Sequence, residues 1–279
     1  MQTLKGKKCL ITGANSGLGL ATTKIFVKSG AEVIMLCRNE AKAKSAIEEI
    51  MEEYPDAKIK LEICDLASIK SLNNFIRQFK EKNSEIDILF NNAAVMKPKY
   101  SETEDGFESM FHTNYIAPFL LTNSLSDMLK KSKNSKVINI ALPPEKLRLD
   151  FNDLQSQHNF SSMETFYKTK LAFLLYSVEL SEKLSASSVS VIIAVPGTGP
   201  FDSNIGREMP IPIRIIKKII SKKAGKAAED ILYYATMENA KNDIIFEGRK
   251  RQEIIPYWND KEVREQLWKV TEELIAKIV

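Results

Sequence analysis

Short apolar runs rich in β-branched residues alternate along the chain with longer stretches in which apolar residues recur at helical spacing. The short runs are KCLIT (Lys8 to Thr12), AEVIMLC (Ala31 to Cys37), KIKLEICD (Lys58 to Asp65), IDILFNN (Ile86 to Asn92), KVINIA (Lys136 to Ala141), VSVIIAVPG (Val189 to Gly197) and DIIFEG (Asp243 to Gly248). Each is a strand candidate. Most are apolar nearly throughout, the pattern of parallel strands covered on both faces. Their alternation with helical segments predicts an α/β chain, a doubly wound parallel sheet with helices on both faces. No internal repeat, low-complexity tract or Gly/Ser/Pro-rich linker interrupts it, so a single domain over 1–279 is expected.

Two segments fall outside the alternation. Residues 202–225 contain MPIPIRIIKKIISKK, which puts Ile215, Ile216, Ile219 and Ile220 on one helical face and Arg214, Lys217, Lys218 and Lys222 on the other. Such a face over 209–223 suits a membrane surface or a partner groove. Residues 261–279 place Val263, Leu267, Val270 and Leu274 at helical spacing, a packed C-terminal helix.

Composition narrows the class. Of 279 residues, 44% are hydrophobic and 27% charged, ordinary globular values. No apolar run approaches the roughly 18 residues of a membrane span. The N-terminus runs almost directly into a strand, which leaves no room for a secretory signal and makes a non-secreted, cytoplasmic chain the default. A net charge of +4, mixed along the chain, is too slight to imply nucleic acid. Cys9, Cys37 and Cys64 lie in apolar runs and read as buried thiols. His112 and His158 have no metal-type spacing, so no metal is expected.

The first strand leads into TGANSGLG, with Gly13, Gly17 and Gly19 between a strand and a helix. There a glycine loop lets backbone N–H groups approach a pyrophosphate, whose charge the helix N-terminus stabilises. About 20 residues on, the second strand ends in Cys37, Arg38 and Asn39, where an NAD site usually presents an acid. A cation there suits a 2′-phosphate.

With CDLAS after the third strand, NNAAV after the fourth, FHTNYIAPFLLT in the next helix and PG after the sixth, the chain resembles the short-chain dehydrogenase/reductase family over nearly its whole length. LCRNEAKA and PYWNDKEVREQLWKVTEELI look most like its retinol dehydrogenase branch. The resemblance implies a Rossmann sheet binding NADP(H). Gly13, Asn15, Ser16, Gly17, Leu18 and Gly19 would hold the phosphates, Arg38 and Asn39 the 2′-phosphate side, and Asp65 and Leu66 the adenine. Asn92, Ala93, Lys170, Pro196 and Gly197 would line the rest. It makes 202–223 a substrate lid and implies a homodimer or protein complex, with the helix carrying Phe166 as the family's dimer face.

The family transfers hydride between nicotinamide and a carbonyl or alcohol carbon, using tyrosine, lysine, serine and asparagine. Here Asn114 matches the asparagine and Lys170 the lysine. Four residues before Lys170, one helical turn, stands Phe166 and not Tyr167. INIAL replaces the serine-bearing run and puts Leu142 at the serine position, and Phe201 falls where a carboxamide-binding threonine is usual. Tyr167 lies about 100° round the helix and begins the apolar stripe Tyr167, Leu171, Leu174, Leu175, Val178. Ser161 and Glu164 predict a capping box that keeps the helix regular, and only a π-bulge or distorted first turn would bring Tyr167 round. Losing a general acid costs about 100- to 10,000-fold and losing a carbonyl donor about 100- to 1,000-fold. The expectation is therefore an NADP(H)-binding pseudoenzyme with a structural or regulatory role in a complex. Its alternative is an active NADP-dependent oxidoreductase that reduces an apolar, retinal-like carbonyl with Tyr167 as a displaced acid.

Overall fold

The computed structural model describes residues 3–141, 144–195, 224–238 and 245–278. β1 (Lys8–Thr12), β2 (Glu32–Cys37), β3 (Lys58–Ile63), β4 (Ile88–Asn91), β5 (Lys136–Ile140), β6 (Ser190–Val195), β7 (Ile245–Glu247) and β8 (Lys250–Arg251) form one sheet in the order β3-β2-β1-β4-β5-β6-β7-β8. The pairs are parallel except β7 with β8. The expected doubly wound sheet is therefore present, and the described residues share it.

Between the strands lie α1 (Gly17–Lys28), α2 (Glu40–Glu53), α3 (Ile69–Lys82), α4 (Ser109–Phe111), a π-turn (His112–Ile116), α5 (Ala117–Lys131), α6 (Ser162–Lys183), α7 (Ala224–Thr236) and α8 (Lys261–Ala276). Local chemistry sets several starts. Asn39 caps α2 by accepting from the Lys42 N–H, Ser68 caps α3 from Ser71, and Asp260 caps α8 from Glu262 and Val263. The capping box expected at Ser161 and Glu164 does not form. Ser161 is the N-cap without a side-chain bond, and Glu164 instead pairs with Lys168 at 3.0 Å, because the i,i+4 partner is within reach of the same carboxylate.

Each face of the sheet has its own core. Leu10, Ile34, Leu89, Val137, Val191 and Ile193 pack under α3, α5 and α6, while Cys9, Ile11, Val33, Met35, Ile138 and Ile192 pack under α1, α2 and α7. All three cysteines are buried, free thiols. β3, at one edge, is largely exposed and carries Lys58, Lys60 and Glu62, charges that discourage further strand pairing. The hairpin to β8 was not expected from the sequence. Gly248, with φ 56°, turns the chain where the run gives no alternation to mark a second strand.

Of the two segments outside the alternation, 202–223 lies outside the described residues, as does the 209–223 membrane or partner face; Ala224 and Gly225 belong to α7. The C-terminal helix forms and docks on α6. Its Arg264, 2% exposed, pairs with Glu182 at 2.7 Å and with Glu179 at 3.8 Å. The Tyr115 and Thr271 hydroxyls meet at 2.6 Å, and Trp268 packs on Phe119 and Tyr176. With α8, α5 and the sheet around it, α6 buries Leu171, Leu174, Leu175 and Val178 within the chain. Because Arg264 is the buried partner of two carboxylates, Arg264→Ala is expected to destabilise the fold by about 3 kcal/mol, read as a lowered urea midpoint with unchanged m.

Candidate functional site

The strand order reverses between β1 and β4, so their carboxyl ends diverge and leave a crevice, the place where open α/β sheets bind ligands. Thr12, Leu66, Ala93 and Thr113 line it. The Thr12 hydroxyl accepts the N–H groups of both Asn92 and Ala93 at 3.0 Å, and the Asn92 amide donates to the carbonyls of Thr12 at 2.9 Å and Gly13 at 3.3 Å. These bonds hold the start of NNAAV against the start of the glycine loop.

Glycine is required in that loop for two different reasons. Gly13 and Gly17 have φ of 64° and 54°, in the left-handed region. Gly19 is required by space: a Cβ there would lie 2.3 Å from the Gly13 carbonyl oxygen and 2.6 Å from Asn92 Nδ2. Ser16, the N-cap of α1, is extended and makes no side-chain cap bond, and the first turn of α1 holds no acid. The leading N–H groups of α1, at Gly17, Leu18 and Gly19, thus keep their donors and the positive end of the helix dipole for an anion.

Beneath the loop lies Cys37. The buried Cys37 thiol accepts from the N–H groups of Ala14 and Asn15, and burial pushes its pKa up to about 11 against their opposing pull. Asn15 is therefore tied down by its backbone, and the outward donors are those of α1. Beside it, Arg38 and Asp65 are both about half-exposed and stand 4.0 Å apart, a weak contact in high dielectric that leaves the guanidinium able to turn to a phosphate. The Asp65 carboxylate accepts from the Ala67 N–H at 3.0 Å and keeps its second oxygen for a donor. Asn39 uses its side-chain oxygen to cap α2, so a ligand would meet its NH2 group. This donor set, with backbone N–H groups, a guanidinium and room made by glycine, fits a dinucleotide.

At the other end stand Asn114 and Lys170. Asn114 sits in the π-turn, 1% exposed. Its side chain accepts from Val95 N–H at 2.8 Å and donates to Val95 carbonyl at 2.9 Å and Thr169 hydroxyl at 3.1 Å. It thereby clamps the loop after β4 to the residue before Lys170. Pro118, four residues on, cannot supply the N–H that an α-helix would aim at the Asn114 carbonyl. That pairing of Asn114 with Pro118 is the sequence signal for the π-turn, which was not among the expectations.

α6 is α-helical from Ser162 to Lys183 without a register shift. Phe166 consequently lies over Lys170, its ring centroid 5.8 Å from Nζ, and Tyr167 packs edge-on against Phe166 with centroids 5.8 Å apart. Lys170 Nζ donates to the Ile140 carbonyl at 3.2 Å and lies 5.9 Å from the Phe173 ring. Among the described residues no carboxylate offsets its burial, which pushes the pKa down to about 8. Leu142, Pro196, Gly197 and Phe201 lie outside the described residues.

Residues 7–145 match the family model of short chain dehydrogenases. Retinol dehydrogenase 13 of Mus musculus is 35% identical over 98% of this chain and 85% of its own length. Among solved structures, an uncharacterised protein from Mycobacterium paratuberculosis is similar with a TM-score of 0.77 and 27% identity, covering 98% of this chain and 95% of that one. A metagenomic short-chain oxidoreductase in complex with NADP shares the fold at a TM-score of 0.65 and 19% identity, over 90% of this chain and 99% of that one. The chain belongs to the short-chain dehydrogenase/reductase family, in its retinol dehydrogenase branch. Among the described residues no helix is long and apolar enough to cross a membrane.

The loop geometry carries a prediction. Gly19→Ala forces a Cβ into backbone, and overpacking of this kind costs about 1–3 kcal/mol; differential scanning calorimetry is expected to show a melting temperature lowered by roughly 2–10 °C.

Proposed function

We propose that this chain binds NADP(H) through the glycine loop, Arg38 and the Asp65 to Leu66 turn, and that it is a poor catalyst of the family's hydride transfer. One observation carries the reading: the ring set one turn before Lys170, facing its amine, is Phe166 and has no hydroxyl. The cofactor, when bound, supplies the hydride; the protein must supply the proton and a donor to the carbonyl oxygen. In this reading Lys170 and Asn114 hold position while neither donor is present, since Leu142 also lacks a hydroxyl. Arg38 takes the 2′-phosphate, where a carboxylate would repel it. A binding role in a complex follows, with the partner met elsewhere than on α6, whose apolar stripe is already covered by α8.

A second reading is an active oxidoreductase acting on an apolar carbonyl. The names of its retinol dehydrogenase relatives favour it. It needs the Tyr167 hydroxyl to reach the substrate oxygen, against a helix that turns Tyr167 away from the line of Phe166 and Lys170.

Calorimetry with NADPH beside a turnover assay separates the two. Tight NADPH binding is expected, weakened about 10- to 100-fold in Arg38→Ala, the loss of one charge-assisted phosphate contact. Turnover of NADPH with decanal is expected to be near background in the wild type and to rise in the Leu142→Ser, Phe166→Tyr double variant. Rapid wild-type turnover that Tyr167→Phe abolishes would establish the second reading.

A further inference from the structure

Lys170 has lost the residue it serves in the family reaction but not its setting. It is 5% exposed, sits between the Phe166 and Phe173 rings and, among the described residues, makes one hydrogen bond, to the neutral Ile140 carbonyl. The other cations at α6 have carboxylates: Lys168 has Glu164, Lys183 has Glu179, and Arg264 has Glu179 and Glu182. Among the described residues Lys170 has none. An amine desolvated in this way carries its proton weakly, and an unprotonated amine in an apolar pocket is a nucleophile toward carbonyl carbon.

The approach to it is apolar as well. Met163, Phe166 and Lys170 fall at i, i+3 and i+7 on α6, with Tyr167 beside them, so one line of the helix runs from solvent to the buried amine. Met163 is 54% exposed, Phe166 and Tyr167 are half-buried, and the exposure falls to 5% at Lys170. A hydrocarbon chain laid along this line would put its terminal carbon near Nζ.

From this geometry we infer that Lys170 captures apolar aldehydes covalently, as a Schiff base. The amine nitrogen attacks the aldehyde carbon and forms a C–N bond; the carbinolamine then loses its oxygen as water, which takes both hydrogens of the amine, and a C=N bond remains. No oxidant or reductant is consumed. A phenol at position 166 would bind the carbonyl oxygen for hydride transfer, whereas phenylalanine leaves the carbon to the lysine. The inference shares with the proposed function the placing of Phe166 over Lys170 but does not rest on the binding of NADP(H).

The test uses the full chain without added cofactor, decanal as the probe, and cyanoborohydride to fix the adduct, followed by intact mass and peptide mapping. At pH 8, Lys170 is expected to be labelled at least about tenfold faster than any surface lysine, because about half of it is unprotonated while an ordinary lysine near 10.4 is almost fully charged. Its rate should climb from pH 7 to 9 and then level, whereas surface lysines continue to rise beyond pH 10. Lys170→Met should lose the fast label. Mapping on the wild type gives the same answer should that variant fold poorly. Labelling of Lys170 no faster than the surface lysines overturns the inference, whatever the turnover assay gives. Rapid NADPH turnover with decanal overturns only the proposed function, and leaves capture to be judged by the label.

Discussion

Where two parallel strands diverge, their last backbone groups lose the neighbours that the ladder supplied, and something else must satisfy them. At the ends of β1 and β4 that task falls to one hydroxyl and one amide. Thr12 takes two N–H groups, and Asn92 returns two bonds to the carbonyls of Thr12 and Gly13. The glycine loop is packed directly on this tie, close enough that a single Cβ at Gly19 would collide with both Gly13 and Asn92. The position of α1, the outward aim of its first N–H groups and the width of the crevice all follow from it. A crevice of this kind is inexpensive in side chains because the backbone does most of the holding.

The reaction centre shows the opposite economy, in which a few side chains carry the chemistry and little else can replace them. Asn114 and Thr169 still fix the helix that delivers Lys170. What arrives at the amine is a phenyl face and a backbone carbonyl, both poor partners for an ammonium once water is removed. A buried polar chain below, from Thr122 through Asn91 and Asn139 to Ser177, ties α5, β4, β5 and α6 together and has no part in the reacting end. The scaffold that supports Lys170 is thus built from bonds separate from those at its amine.

The middle of the helix that presents Lys170, from Thr169 to Leu180, is buried. Sheet, α5 and α8 bury its apolar residues, and Arg264 brings a guanidinium to two glutamates that would otherwise face a neighbour or solvent. Family resemblance suggested α6 as a dimer face, and its continuous apolar stripe looked suitable. That stripe cannot be distinguished from one meant for the chain's own C-terminal helix, since burial by either gives the same periodicity.

Much was written plainly in the sequence. Apolar runs with β-branched residues specify strands wherever they occur, glycines at 13, 17 and 19 admit few other loops, and the four-residue step from Phe166 to Lys170 is fixed by helix geometry alone. Strand ends were less legible: Asp87 fits the β4 run by position, yet its carboxylate is turned to Lys7, the Lys8 N–H and Ser132. The seat of the Ala14 and Asn15 amides on Cys37, the clamp of Asn114 on Val95 and Thr169, and the docking of α8 join residues from 19 to 156 positions apart. Local pattern determines which face of an element is apolar; only the packed chain decides what that face meets, because the partner is chosen by shape and by the cost of leaving buried polar groups unpaired.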